Sequence, residues 1–559
     1  MSVASVIFRY ERDWARQVYG SRKSTVLSRS KVETVEQKGN EMVDNSSAYN
    51  NLTRRRFLHS SAALGAGAAL ATSVLPTFAA AQTPTRGGKL VVGVKGGSTG
   101  DPLDPLLIPS QAAAYVTYQY ANWLVERSVN NELKGDLAES WEPSEGGKKW
   151  TIKLKQGVKF HNGKDMTSED VAYSLNRHRG TDSKSPARPL MKQWDDVKAD
   201  GPHQIVISLK EPDVGLPYLL TFIHLVIQPK DEDPNKGIGT GPFVLEKAEP
   251  GKRYTFKRNP AYFKPDTVWF DELEVLIIND DTARISALLS GSVHISTEVT
   301  PNLVAQIKNA RNFNIVSSAN SKFYYLTMLI DQPPFDNPDL RLALKYAVDR
   351  EMILKGVLAG YGEIGNDHPV NSAYPLHPTD IPQHNYDVDK AKYHYQRSAN
   401  SAPIVLHTAE IFPGAVDMSV MFQQSAAKAG IPIELKREPV DGWWDNVYLK
   451  APFQVSYWGS LTTEDQALSL PFASDAPWND SHWRKSEFDD LLTRARGEPN
   501  EQSRKSLYRD ACLQIHDNGG HITVMFPQDI QAISSKVKGF VGYPFGENAQ
   551  NTQHCWFGS

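Results

Sequence analysis

The residues best suited to covalent chemistry lie in Gly96-Gly97-Ser98-Thr99-Gly100, which fits the Gly-x-Ser-x-Gly pattern of a serine nucleophile. The motif follows Lys89 to Val94, a compact apolar run that reads as a buried strand. A nucleophile elbow needs a helix directly after its serine. Here Asp101-Pro102-Leu103-Asp104-Pro105 follows, and proline biases the residue before it away from helical backbone. An exported serine hydrolase using Ser98 is therefore the alternative rather than the leading function. His516-Asp517 and His521 come nearest to a metal set. Two glycines intervene, and there is no His-Glu-x-x-His or paired-cysteine motif, so no metal site is expected. The two cysteines, Cys512 and Cys555, cannot build a cluster; they could pair in an oxidising compartment, although sequence separation does not show proximity. No haem-attachment motif or dinucleotide fingerprint is present, and no cofactor is expected.

The elements that must position any site alternate between strand and helix signals. Trp150 to Lys155 and His203 to Leu209 alternate as strands, and Thr167-Ser168-Glu169-Asp170 has the form of a capping box. Leu273 to Ile278 is a strongly apolar strand, followed by Asp280-Asp281 capping a helix. Asn337-Pro338 opens another helix. Later come strands at 404–407, 433–437, 454–458 and 522–526, with helices at 416–429 and 501–515. The class is α/β. Gly237-Ile238-Gly239-Thr240-Gly241-Pro242 is the best candidate for a crossing between lobes. A chain of 559 residues suggests about three or four folding units. Aromatic residues are 10% of the chain, enough to line a pocket as well as fill a core.

Residues 1–81 read as an address rather than a fold. Thr53-Arg54-Arg55-Arg56-Phe57-Leu58 precedes a small-residue apolar stretch from Ser60 to Leu75, then Ala79-Ala80-Ala81. That order is a cleaved export signal, with cleavage expected near Ala81-Gln82. The paired arginines with Phe57 and Leu58 resemble a twin-arginine signal, which implies the twin-arginine export machinery as a partner. No cysteine follows the cleavage point, so a free periplasmic protein is expected. Met42 is the expected start, with 1–41 an upstream extension and 42–81 the signal. Residues 1–81 hold 11 of the 61 basic and 6 of the 64 acidic residues, leaving the remainder with 50 basic and 58 acidic. A mildly acidic body gives no reason to expect nucleic-acid binding.

Four blocks in order resemble the solute-binding proteins of peptide-type ABC importers, the oligopeptide/dipeptide/nickel cluster. They are Gly87 to Val94; Leu137-Ala-Glu-Ser-Trp-Glu142 with Gly157-Val-Lys-Phe-His-Asn-Gly163 and Glu169 to Ser174; Gly239 to Phe243 with Asn259 to Phe263; and Pro334 to Arg341 with Ala347 to Glu351. Each also has a plain physical job. Phe160 to Gly163 reads as a strand end and turn, and Asp349-Arg350 as a helix-end charge pair. The resemblance implies a two-lobed periplasmic-binding-protein clamshell with an additional third domain. Its first lobe would be discontinuous, from 82–120, 241–325 and 520–559. An inserted second domain would span 121–240, and a third, 326–519, would form the other side of the cleft. The implied function is non-enzymatic: a monomeric receptor that encloses a small peptide or a modified amino acid, opine-like, and delivers it to the transmembrane subunits of an ABC importer.

In that family a stretch late in the third domain feeds the cleft, here Val455 to Gln466. Dipeptide binders carry an Asp three residues after the Trp, paired with the peptide's α-amine; this chain has Leu461. Glu464 and Asp465 lie close enough to take over a cationic group, or else cap the following helix. Trp458, at a strand end beside Gly459 and Ser460, offers an apolar face with backbone groups beside it. Trp443 and Trp444 follow Gly442; neighbouring side chains diverge, so one is expected to face a ligand and the other to pack. Tyr457 is expected on the other strand face. A sugar-like ligand stacked on a Trp, and a folding helper or sensory partner of the same fold, are the remaining readings.

Overall fold

In the computed structural model, residues 83–558 are described. The export signal, the two candidate starts and the cleavage point lie outside them. Three sheets organise the chain. The first has seven strands in the order Phe313–Ser318, Asp529–Ser534, Ile295–Ser296, Lys89–Val94, Glu272–Ile277, Arg253–Arg258, Phe243–Glu249. Lys89–Val94 sits at its centre, parallel to both neighbours. A strand covered on both faces reads as a continuous apolar run, which is why its sequence lacks strict alternation.

The second sheet has four antiparallel strands, in the order Ala138–Ser144, Lys149–Leu154, Gln204–Leu209, Trp194–Ala199. Alternation in the two central strands sends Trp150, Ile152, Ile205 and Ile207 to one buried face. The helix Ser168–Asn176 starts with a reciprocal box between Thr167 and Asp170. The third sheet has six strands, in the order Gly362–Ile364, His521–Pro527, Phe323–Met328, Phe453–Trp458, Ile404–Thr408, Ile433–Arg437. Every residue of Phe453–Trp458 is buried.

Sheet pairing corrects two sequence expectations. His521–Pro527 pairs with Phe323–Met328 in the six-stranded sheet, so the return to the seven-stranded sheet starts at Asp529 rather than at 520. The chain passes between these two sheets at residues 319–322 and again at Gln528. The glycine joint at 237–242 is a different passage: it brings the chain from the four-stranded domain into Phe243–Glu249. Close approach explains its glycines. A Cβ on Gly239 or Gly241 would fall 2.1 or 2.4 Å from backbone atoms of Tyr120, at the end of the helix Gln111–Tyr120. Gly241 N donates to Tyr120 O at 2.9 Å. The Phe160–Gly163 turn docks here too: His161 N donates to Gly239 O at 2.9 Å, and its ring Nε2 lies 3.1 Å from Gly241 O.

Asp349-Arg350 is not a charge pair. Asp349 caps the helix Arg350–Leu358 by accepting from Met352 N at 3.0 Å. Arg350 turns into the protein, meets Asp367 at 2.6 Å and donates to Thr523 O and His384 O. Asp367 also faces His384 Nδ1 at 2.7 Å. A buried guanidinium needs such complete pairing to survive desolvation. Cys512 and Cys555 are both free and buried, in separate cores.

Burial, the main cause in each case, pushes His178 down to about 3, His224 to about 4 and His368 to about 3. Their folded-state values lie below the unfolded value of 6.5, so the unfolded chain binds more protons as the medium acidifies. Stability conferred by these neutral rings is present above about pH 6.5 and drains as pH falls, at about 1.4 kcal/mol per histidine per pH unit at most. Urea unfolding between pH 7 and 4.5 should show this slope, and His178→Gln should flatten it.

Candidate functional site

The buried strand Phe453–Trp458 ends at Trp458, opposite Phe323 in the antiparallel register. The chain then turns through Gly459 to Thr462 and enters the helix Glu464–Phe472, capped by Thr463. This turn is fastened to the crossing segment at 319–322. Ser460 Oγ donates to Asn320 Oδ1 at 2.7 Å. Ser321 Oγ accepts from Leu461 N and donates to Leu461 O, both at 2.9 Å. Tyr374 OH donates to the same carbonyl at 3.1 Å.

The turn borders a cavity of about 480 Å³. Its walls come from all three sheet regions: Tyr115 and Tyr118, Phe222 and His224, and Tyr324, Trp458 and others of the six-stranded side. That volume and aromatic lining suit a small organic solute. Trp458 is only 9% exposed and its indole Nε1 has no hydrogen-bond partner; Gln531, 4% exposed and also lining the cavity, has an unpartnered Oε1. Arg127 closes one side. Its guanidinium donates to Thr221 Oγ1 at 3.1 Å and to Thr462 O at 2.8 Å, joining the four-stranded domain to the turn after Trp458. Asn131 Nδ2 donates to Ala373 O at 2.6 Å and Val214 N to Arg496 O at 2.9 Å, adding further ties of the same kind. A second concavity, about 1180 Å³, lies between the four-stranded domain and the helices Glu464–Phe472 and Ser486–Gly497, and shares Leu470 and Trp478 with the first.

The floor carries the charge. Lys322 Nζ lies 3.4 Å from Asp529 Oδ1, and Asn320 Nδ2 donates to Asp529 Oδ2 at 2.6 Å. Lys95 Nζ lies 3.6 Å from Glu298 and 3.7 Å from Asp281. Desolvation pulls the Lys322 ammonium down, but Asp529 and Glu298 together hold it above the usual lysine range. Glu298 stands at a positive φ of 49°. The fully buried Arg284 holds that strained turn, donating to Thr297 O and Glu298 O at 3.1 Å each.

Trp458, Gly459 and Ser460 thus line the cavity, while four other expected residues do not. Trp443 is fully buried in the core of the six-stranded side. Trp444 packs edge-on to Tyr448 and Tyr457. Neither indole lines the cavity; Gly442 begins a short helix, Trp443–Asn446, from which both pack on other parts of the protein. Glu464 is buried and accepts from Leu376 N at 2.7 Å; burial raises its carboxyl above the usual range. Asp465 pairs with Arg496 at 2.8 Å. Both therefore fasten the helix start rather than await a cation. Tyr457, expected on the far face of its strand, lines the cavity. The floor residues escaped the sequence reading because each lies in a loop or at a strand end without periodicity.

Ser98 is part of a turn: its N donates to Asp101 Oδ2 at 3.0 Å and its Oγ accepts from Gly100 N at 3.3 Å. The next helix begins only at Gln111, so no nucleophile elbow forms. Among the described residues no group of three or more His, Cys, Asp or Glu is arranged to hold a metal ion. No helix among them is long and apolar enough to cross a membrane.

Trp443→Ala should lower the unfolding free energy by about 3–5 kcal/mol in urea titrations, the cost of emptying an indole from a packed core.

The chain has relatives over most of its length. The chain is 27% identical over 471 residues to di/tripeptide-binding protein 1 of Pseudomonas aeruginosa (strain UCBPP-PA14), covering 76% of this chain and 86% of that protein. It is 26% identical over 500 residues to heme-binding protein A of Haemophilus influenzae, covering 79% and 88%. Among solved structures, the binding protein AgaA from A.tumefacien R10, in complex with agropinic acid, superposes with a TM-score of 0.69 at 23% identity, covering 84% of this chain and 99% of that one. Residues 132–480, more than half of the chain, match the family of bacterial extracellular solute-binding proteins, family 5, in its middle region. The chain belongs to the bacterial extracellular solute-binding proteins of family 5.

Proposed function

We propose that this protein is a non-enzymatic, monomeric periplasmic receptor that captures a small peptide or an opine-like modified amino acid and hands it to the transmembrane subunits of an ABC importer. The observation that carries this reading is the cavity of about 480 Å³, walled by aromatic rings from separate sheet regions and floored by the segments that join them. Enclosing a solute there requires no chemistry. It requires only that the closed arrangement bind more tightly than an open one, so that occupancy biases the population an importer meets. Rigid-body closure about the segments at 319–322 and 528 is the motion this implies. The ligands named for the relatives above range over di- and tripeptides, heme and agropinic acid. A peptide or modified amino acid is favoured here by a cavity that combines aromatic walls with charges of both signs. Export through the twin-arginine route, with cleavage near Ala81-Gln82, would deliver the folded receptor to the periplasm.

Purified protein should release a stoichiometric small molecule when native and denaturing mass spectra are compared. Across peptides, opines, sugars and Ni²⁺, one class should raise the melting temperature by several degrees, since saturation at a hundred times Kd adds about 2.7 kcal/mol. No ligand, no shift across that panel and measurable ester hydrolysis lost in Ser98→Ala would overturn the receptor reading. Trp458→Ala should abolish the ligand-induced shift; because the indole is 9% exposed and packs in the same core as Trp443, the ligand-free melting temperature should fall as well, and the shift is read against that lowered baseline.

A further inference from the structure

The charges around the cavity are not spread evenly. Two carboxylates line it, Glu298 and Asp529, and both belong to the floor. Lys95 and Lys322 stand beside them, also lining it. The remaining guanidinium on the wall, Arg127, is already committed to Thr221 and Thr462. The floor is therefore a set of two cations and two anions, with Glu298 acting on both lysines.

These four groups are held close without being saturated. Their contacts, 3.4 Å for Lys322–Asp529 and 3.6 Å for Lys95–Glu298, are longer than a charge-assisted hydrogen bond of about 2.7–2.9 Å. The pairs Arg350–Asp367 and Arg496–Asp465 close fully, at 2.6 Å and 2.8 Å. Each lysine has three donors, so donors remain for a ligand. Side-chain exposure runs from 11% for Asp529 to 28% for Lys322, and all four line the cavity, where a ligand's charge would be poorly screened. The lining beyond these four groups includes the apolar and aromatic side chains of Trp458, Leu461 and Phe412.

We propose that the floor is the anchoring subsite for an α-amino-acid head group, its ammonium between Glu298 and Asp529 and its carboxylate on Lys95 and Lys322, with the rest of the cargo extending toward Trp458. This rests on the receptor reading above and narrows it. A head group carries both charges on one carbon, which fits a compact cluster of both signs. A dicarboxylate would leave the carboxylates opposed, and a neutral sugar would leave four charges desolvated without gain. The unpartnered Trp458 Nε1 then serves a carbonyl or ether oxygen farther along the cargo. The subsite also touches both passages between the two large sheets: Asn320 and Lys322 come from one, and Asp529 directly follows the other. A head group bound there stitches the hinge strands together.

The test uses the purified protein with L-tryptophan, O-benzyl-L-tyrosine and Nε-benzyloxycarbonyl-L-lysine, each free, N-acetylated and as the carboxamide, in calorimetry and thermal-shift titrations. The free form of at least one should bind about tenfold or more tighter than either capped form. Lys322→Met should remove the preference for acid over amide, and Asp529→Asn the preference for free over acetylated amine. Lys95→Met and Glu298→Gln probe the same contacts should the first pair melt below working temperature. Capped forms binding within about twofold of the free ones, or a response only to solutes without the head group, would overturn this inference and leave the receptor reading standing. Silence toward every solute class would overturn both.

Discussion

Everything in this molecule that could sense a solute hangs on two short passages of backbone running side by side between two sheets. Phe313–Ser318 and Asp529–Ser534 are neighbours in the seven-stranded sheet, and Phe323–Met328 and His521–Pro527 are neighbours in the six-stranded one. The chain thus leaves and returns through one seam. Asn320 and Asp529 join its two sides at 2.6 Å, and Ser460 attaches the turn after Trp458 to the same asparagine. A seam of two strands permits rotation while forbidding separation. The same residues that set the pivot also form the floor of the cavity, so pivot and floor cannot be altered independently.

The four-stranded domain is attached differently. The segments by which the chain enters and leaves it lie backbone against backbone at Tyr120 and Gly241, at a distance that admits no side chain. The His161 turn locks this junction from the domain's own side. A rigid attachment suits a wall that carries Phe222 and Arg127 into the cavity, because its placement is then fixed by the first sheet. Elsewhere, buried charge is handled by complete pairing. Arg350 and Arg284 each spend their donors on carbonyls and one carboxylate, and each secures an irregular segment: the Asp367–His384 region and the Thr297–Glu298 turn.

How much of this could be read from the sequence depended on how local the determining physics was. Caps were legible because they need only a few residues: Asp280 accepts from Ala283 N, and Asn337 from Asp339 N and Leu340 N, as their types suggest. Strands with one face buried announced themselves by alternation, as Gln204–Leu209 does. The order of strands in a sheet did not, which is why His521–Pro527 was expected in the first lobe. The cavity divided along the same line. Trp458-Gly459-Ser460 could be picked out because the family resemblance pointed to the stretch Val455 to Gln466, within which they form a strand end followed by a turn. Lys322 and Asp529 are 207 positions apart, and nothing near either one advertises the other. Trp443 and Trp444 show the converse failure: large aromatic rings in a loop-like stretch look available for a ligand, yet a core with room for an indole takes it first.

The two cysteines carry a consequence of their own. Cys512 lies on the helix Glu501–Asn518 within one apolar core, and Cys555 packs in the separate core of the first sheet. Burial raises both thiols far above the range in which a thiolate forms. Without thiolate there is no attack on a disulfide and little reaction with oxidants. The fold is therefore indifferent to redox poise. Neither thiol contributes a cross-link, so the fold needs no disulfide isomerase for its completion.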